Sequence, residues 1–428
     1  MPKSLKRSQE IQQEISEQIG KSQFYEKLTP VSPESKPLPD KIPARDDYSK
    51  EGLKQRQDFL KRRGLSIETI QGGKHDVPAE ELKGSIENFI GFSRIPLGLI
   101  GPLRVNGIHA NDDFYIPLAT TEGALVASYN RGAYAISLAG GASSLCVSEG
   151  VSRAPCFYFK SIAQAGLFLN WLLSETQTLF TAVQSTTGHG KLVDLKPTIN
   201  GSSVYLILDF TTGDAAGQNM VTMATQAICD KILAQSPVKP EHWYIEGNLS
   251  GDKKASMLSF LGVRGKKVIA ETLLPGKLVE KVLHSTPEDM ERYCRISTLG
   301  GIQSGQIGVQ GHYANALAAI YIACGQDAAC VSESAIGITD MHVNTEGELH
   351  VTVSLPNLIV GTVGGGTYMP TAKECLKLLG CYGKNKAKKF AEICAAVVMA
   401  GEISIIAALA AGHFSMAHSV YRKKHETR

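Results

Sequence analysis

Glu122 stands in Leu118-Ala-Thr-Thr-Glu-Gly-Ala-Leu-Val-Ala-Ser-Tyr-Asn-Arg-Gly132, a lone carboxylate between two threonines and a glycine at the mouth of an apolar segment. From Ala124 small and apolar residues recur at helical spacing, which predicts a buried helix from Glu122 to Ile136 with Glu122 in its first turn. Burial there raises a carboxyl pKa, while the helix dipole and amide hydrogen bonds lower it. Glu122 is therefore either a poised proton donor or a plain complement to the dipole. Four other elements carry polar groups among small or apolar residues, where a charge needs a reason to be. They are Asp252-Lys253-Lys254, Asp327 in Ala-Cys-Gly-Gln-Asp-Ala-Ala, Asp214 to Met220 in Asp-Ala-Ala-Gly-Gln-Asn-Met, and the C-terminal His413 and His418. Asp327 lies near a predicted helix end, and its neighbours imply a lysine partner. Singly, each group reads as a salt bridge or a cap; gathered in one cleft they supply an acid, a cation, an orienting carboxylate and a mobile imidazole.

The elements that must position these groups follow from the rest of the chain. Its 428 residues allow two or three domains and a large core, and 44 Lys plus Arg against 41 Asp plus Glu leave a net charge of +3, which implies no nucleic-acid partner. Nine scattered cysteines without a Cys-x-x-Cys pair fit a reduced cytoplasm and no metal site. No run of about 20 uninterrupted apolar residues appears, so no membrane contact is expected. The most apolar stretch, Ile393 to Gly412, is broken by Glu402 and Ser404 and reads as a buried core helix.

Residues 1–80 read as a polar helical appendage, with Ile11, Ile15, Ile19 and Tyr25 at helical spacing, prolines at 30, 33, 37, 39 and 43 in an extended connector, and a charged helix over Glu51 to Arg63. Residues 155–244 read as a small ferredoxin-like (split βαβ) module: helices over Ala163–Glu175 and Asn219–Leu233, strands over Ser203–Phe210 and Trp243-Tyr-Ile. Residues 81–154 and 245–428 form a larger helix-centred domain, with helices over Asn315–Ala329 and Ala387–Ala411, a strand over Leu349–Pro356 and a glycine turn over Gly361–Thr367. The expected class is α+β. The apolar run from Glu87 to Pro102 suits a surface buried between subunits.

Several words, in order from about residue 80 onward, resemble the hydroxymethylglutaryl-CoA reductase family: Glu87-Asn-Phe-Ile-Gly-Phe, Ala119-Thr-Thr-Glu-Gly, Ser128-Tyr-Asn-Arg-Gly, Gly140-Gly-Ala-Ser-Ser, Asp252-Lys-Lys, Tyr321-Ile-Ala-Cys-Gly-Gln-Asp-Ala-Ala, Gly361-Thr-Val-Gly-Gly-Gly-Thr and Met399-Ala-Gly-Glu-Ile-Ser with Ala411-Gly-His. They are similar to the class holding the animal and archaeal enzymes. The resemblance implies reduction of hydroxymethylglutaryl-CoA to mevalonate and CoA by two hydrides from NADPH, with NADH as the alternative donor and the reverse, degradative NADH-linked reaction as the alternative direction. It implies a homo-oligomer with active sites between subunits.

By the same resemblance, Lys253 matches the cation that stabilises the carbonyl oxygen, Glu122 the acid, Asp327 the carboxylate between them, and His418 the donor to the departing thiolate, with His413 as a helix-end residue. Ser128, Asn130 and Arg131 match CoA contacts, and Arg153 matches the grip on the acyl carboxylate. Lys254, Arg295, His312 and Asn315 are weaker matches nearby. No Gly-x-Gly-x-x-Gly follows a strand, so a Rossmann reading fails. Asp214, Ala215, Ala216, Gly217, Gln218, Asn219 and Met220, with Gly364, Gly365 and Gly366, form either a pyrophosphate cradle or tight turns alone.

Three departures stand out. Thr187 and Gly188 replace the serine and arginine that related enzymes use for the NADPH 2′-phosphate, leaving His189 or Lys191 as substitutes. Glu246 replaces a serine near the acyl group, and a carboxylate there must pair with a cation or turn away. Lys424 stands where animal enzymes carry a phosphorylatable serine. A lyase or thioesterase on the same scaffold lacks its motif, since neither Gly-x-Ser-x-Gly nor a metal-ligand set occurs.

Overall fold

The computed structural model describes residues 9–412, apart from residues 11, 12, 14, 18, 20, 46, 72–78, 83, 84, 87, 89, 185–189 and 263. Thr187, Gly188, His189, His413, His418 and Lys424 lie outside the described residues.

Alanine and straight-chain residues make Ala387–Ala410 a strong helix former, and its apolar surface on all sides requires burial all round. Every residue from Phe390 to Ser404 is indeed buried. This helix has the length and composition of a membrane span, yet 78% of its most apolar window lies inside the protein. Around it, in chain order, run α1 (Lys21–Leu28), α2 (Lys50–Lys61), β1 (Leu97–Gly107), β2 (Asn111–Ala119), α3 (Leu125–Leu138), β3 (Ala142–Arg153), β4 (Cys156–Tyr158), α4 (Ile162–Ser174), α5 (Thr176–Gln184), β5 (Lys191–Asn200), β6 (Ser203–Thr211), α6 (Gln218–Gln235), β7 (His242–Tyr244), β8 (Gly265–Leu274), α7 (Pro287–Gln303), α8 (Tyr313–Ala323), β9 (Ile338–Val343), β10 (Leu349–Leu358) and α9 (Pro370–Leu378), with the central helix as α10.

The strands join in the order β7-β4-β6-β3-β8-β10-β9, with the β1–β2 hairpin on β3 and β5 on β6. Alternation along β8 and β10 turns Val268, Ala270, Val351 and Val353 to the α10 side and Ile269, Glu271 and His350 outward. A second core of Phe157, Phe168, Leu172, Leu206, Phe210, Val221 and Ile228 packs α4 and α6 on β4 and β6. One strand belongs to both regions: β3 pairs with β8 over Ser143–Gly150 and with β6 over Val151–Arg153.

The N-terminal segment is tied down by a buried arginine. Arg104 is 1% exposed; it donates to Asp113 at 2.8 and 3.0 Å and to the connector carbonyls of Val31 (2.9 Å), Lys36 (2.8 Å) and Pro37 (3.5 Å). Ile15 and Ile19 pack on Ile108, and Phe59 and Leu60 on Tyr115.

Glu392 on α10 is fully buried and accepts from the amides of His109 (2.8 Å), Ala110 (2.8 Å) and Cys146 (3.3 Å). Burial outweighs these bonds and pushes its carboxyl up from 4.5 to about 7. The folded state therefore holds a proton that the unfolded chain has released between those two values, and stability falls as pH rises through that window. Integrated, this amounts to about 3 kcal/mol. Glu392→Gln is expected to flatten that fall, read as urea midpoints at pH 5 and pH 8; parallel pH dependence in parent and variant would contradict it.

Candidate active site

Glu122 lies outside the helix predicted to contain it. Ala124 takes a left-handed φ of 67°, so the regular path begins only at Leu125. Glu122 sits in the exposed loop before it, its amide donating to Thr120 Oγ1 at 3.0 Å. Its carboxylate is held instead by α8: Asn315 Nδ2 donates to Oε2 at 3.0 Å and to Oε1 at 3.2 Å. At the start of α8 the buried Glu402 of α10 accepts from the amides of Gly311 (2.7 Å) and His312 (2.8 Å), from Thr339 Oγ1 (2.7 Å) and from His312 Nδ1 (3.0 Å). A carboxylate only accepts, so Nδ1 carries the hydrogen and Nε2 is left for other partners. The His312 ring stacks on Tyr129 at 5.4 Å.

Asp327 also departs from expectation. Helix α8 ends at Ala323, and Asp327 instead caps a short 3-10 turn over Ala328–Cys330, accepting from the Ala329 amide at 3.0 Å. Gly325, left-handed at φ 65° and pressed against the Gly366 carbonyl, ends the helix early. The cation beside Asp327 is Lys253, with Nζ 2.8 Å from Oδ2 and both side chains close to half exposed. That hydrogen bond holds the Lys253 pKa above its ordinary value, so the amine stays charged at neutral pH.

The neighbouring Asp252 joins Arg153 at 2.5 Å and also pairs with Arg264. Burial alone would raise its carboxyl, but the two guanidinium groups hold it below its usual value. Arg153 further contacts Thr222 (3.0 Å), Gln218 (3.4 Å) and Glu246 (3.7 Å). Glu246 thus has its cation, and it also accepts from Ser250 Oγ at 2.9 Å. Lys254 Nζ folds back on the Asp252 carbonyl at 2.8 Å.

Glu122, His312, Asn315 and Asp327 line one cleft of about 2840 Å³, which Lys253 joins through Asp327. The same cleft is lined by Ser128, Asn130 and Arg131 of α3, by Ala215 to Met220, and by Gly364 to Gly366. Ser404 of α10 meets Ser128 Oγ at 2.9 Å and accepts from Arg131 Nε at 3.1 Å, while Asn130 accepts from the Gly101 amide at 2.9 Å. The two backbone loops interlock: the Thr362 amide donates to the Asp214 carbonyl at 2.8 Å, and a Cβ on Gly361 would stand 2.6 Å from Ala216 N. The Asp214 carboxylate faces the start of α10, accepting from the amides of Asn385, Lys386 and Ala387 at 2.7, 3.0 and 3.1 Å. Arg295 lies apart, exposed on α7.

Four residues of the arrangement escaped the sequence reading: Arg264, Glu333, Glu402 and Ser404. Glu402 and Ser404 were visible only as polar interruptions of an apolar helix, and Arg264 and Glu333 as charges beside strand and helix runs. A buried charge needs a partner, but one sequence does not say which.

The profile of the hydroxymethylglutaryl-coenzyme A reductase family matches residues 52–423. The chain is 45% identical over 344 residues to the 3-hydroxy-3-methylglutaryl-coenzyme A reductase of Methanocaldococcus jannaschii, covering 79% of this chain and 84% of that one. It is 41% identical over 374 residues to the Pyrococcus abyssi enzyme, covering 86% and 91%. Its fold is similar to that of the class II enzyme of Streptococcus pneumoniae solved with NADPH, with a TM-score of 0.70 at 19% identity over 86% of this chain and 100% of that one. A profile match over most of the chain, together with relatives above 40% identity, means that this chain is an enzyme of the hydroxymethylglutaryl-coenzyme A reductase family.

Proposed function

We propose that the chain reduces hydroxymethylglutaryl-CoA to mevalonate and CoA, consuming two NADPH and two protons, with the Lys253–Asp327 pair in the Glu122 cleft carrying the reading. A reduced nicotinamide bound in the cleft supplies a hydride in each of two steps. Lys253 stabilises the negative charge that gathers on the substrate carbonyl oxygen. Asp327 fixes the ammonium and keeps it charged, and Glu122, oriented by Asn315, gives the proton in the aldehyde step. His418 protonates the departing CoA thiolate. Ser128, Asn130 and Arg131 hold CoA, and Arg153 takes the acyl carboxylate, exchanging part of its bond to Asp252.

Residues 215–220 and 364–366 fit a dinucleotide. Gly217 opens the long helix α6 at φ 80° with no side chain capping it, and Gly364 and Gly365 have open space where a side chain would stand. Buried Gln218 Nε2 has no hydrogen-bond partner among the described residues. We assign the cofactor site to a ferredoxin-like module over residues 155–244, a reading supported by the antiparallel order β7-β4-β6-β5. Residues 81–154 and 245–428 then form the substrate domain and 1–80 the appendage. The half-exposed Lys253–Asp327 pair and the exposed Ile296, Leu299 and Ile302 beside Arg295 support a homo-oligomer that completes the site from a second subunit. Nine unpaired buried cysteines support a cytoplasmic setting.

The test is purified full-length protein with hydroxymethylglutaryl-CoA and either NADPH or NADH, following nicotinamide absorbance and mevalonate formation. Two NADPH oxidised per mevalonate is expected; no oxidation of either nucleotide would refute the proposal.

A further inference from the structure

Three atoms of Lys253 are gripped by one short stretch of chain. Its amide donates to Glu333 Oε1 at 3.1 Å, its carbonyl accepts from Ser332 Oγ at 2.7 Å, and its Nζ meets Asp327 Oδ2 at 2.8 Å. The Ser332 hydroxyl also lies 2.9 Å from the Ala329 carbonyl, the longer of its two contacts. Lys253 has a φ of 55°, the left-handed region that a side chain disfavours, so its surroundings must impose it.

Those surroundings are anchored in the core. Glu333 is fully buried and accepts from Arg264 Nε at 2.6 Å and from Asn357 Nδ2 at 3.1 Å. Arg264 is itself buried, donating to the Ser152 carbonyl at 2.8 Å and to Gln218 Oε1 at 2.7 Å. The next residue, Ser334, accepts from the Ile359 amide at 3.0 Å and meets Tyr321 OH at 3.0 Å. Ser332 and Glu333 thus project from a support tied to α8 and to the end of β10.

We infer that Ser332 and Glu333 are positioning residues that hold the Lys253 main chain left-handed, so that its ammonium is fixed on Asp327. The inference rests on the reading of Lys253 as the reaction's cation. Both side chains bond the Lys253 main chain and not its ammonium, so their task is to place the cation. Losing either grip lets the loop relax and moves the ammonium off its target, which costs turnover rather than binding.

Ser332→Ala removes the carbonyl grip at an exposed position and buries nothing, so folding is preserved. It is expected to lower kcat about tenfold while KM changes less than about twofold, and Ser332→Thr is expected to restore most of the loss. Glu333→Gln keeps an oxygen for the Lys253 amide but withdraws the charge facing Arg264, and should cost about a hundredfold in kcat. If Glu333→Gln fails to fold, the Ser332 pair decides alone. Ser332→Ala with parental kcat and an inactive Lys253→Ala overturns the positioning role and leaves the cation intact. An active Lys253→Ala overturns the underlying reading itself.

Discussion

Lys253→Ala is expected to abolish reduction of the thioester, with kcat falling at least about a thousandfold while the protein folds and melts as the parent does. The side chain is close to half exposed and pairs with Asp327, itself close to half exposed, so truncation leaves no buried charge behind. What it removes is a fixed ammonium whose pKa the Asp327 hydrogen bond holds up. Asp327→Asn should act in the same direction but less severely, because the amine remains while its hold and its raised pKa are lost. The measurement is steady-state oxidation of NADPH with hydroxymethylglutaryl-CoA, and separately with mevaldehyde. Thioester turnover by Lys253→Ala within tenfold of the parent, an order-of-magnitude mark, would remove the cation from the mechanism.

The second large effect concerns packing. Helix α3 crosses α10 where Gly132 meets the Ala400 backbone, and a Cβ on Gly132 would overlap the Ala400 carbonyl. One turn earlier on α3, the Tyr129 ring lies against Gly401, the next residue of α10, in the same way. Helix propensity favours Gly132→Ala by about 1 kcal/mol, whereas forcing backbone apart in a filled core costs about 3 kcal/mol or more. The clash wins, and Gly132→Ala should lower the melting temperature clearly. Separation of the helices would also pull Ser128 and Arg131 from Ser404, raising KM for the CoA substrate. Gly166→Ala on α4, where nothing lies within 4 Å, is the matched control and should not destabilise. A Gly132→Ala protein as stable as the parent would mean that the helices tolerate a wider spacing than they adopt.

Long periodic elements were the legible part of the fold. Helix α10 was expected over Ala387–Ala411 and runs from Ala387 to Ala410, because alanine-rich apolar sequence leaves a chain few alternatives. Strand β10 and helices α4 and α6 followed their spacing in the same way. Strand β7, at His242–Tyr244, overlaps the expected Trp243-Tyr-Ile, whereas β4, three residues at Cys156–Tyr158, carries too little pattern to announce itself. At the candidate site, the residue types were legible but their settings were not. Glu122 looked like a first-turn helix residue because the apolar period starts nearby, yet a left-handed Ala124 displaces the start by three positions. The pairing of Glu122 with Asn315 and of Lys253 with Glu333 spans 193 and 80 residues of chain, separations that no local spacing rule reaches.

The buried guanidinium of Arg104 bears on how the chain is handled at the bench. Its three carbonyl acceptors all lie between residues 31 and 37, in a stretch with no regular secondary structure that invites trimming. A gene shortened to begin after that stretch would still encode every helix and strand from α2 onward, yet would strip Arg104 of three carbonyl acceptors beneath the β1–β2 hairpin, leaving Asp113 to hold it. Aggregation of such a product would report a missing plug in the hairpin's floor, and restoring residues 30–40 should cure it.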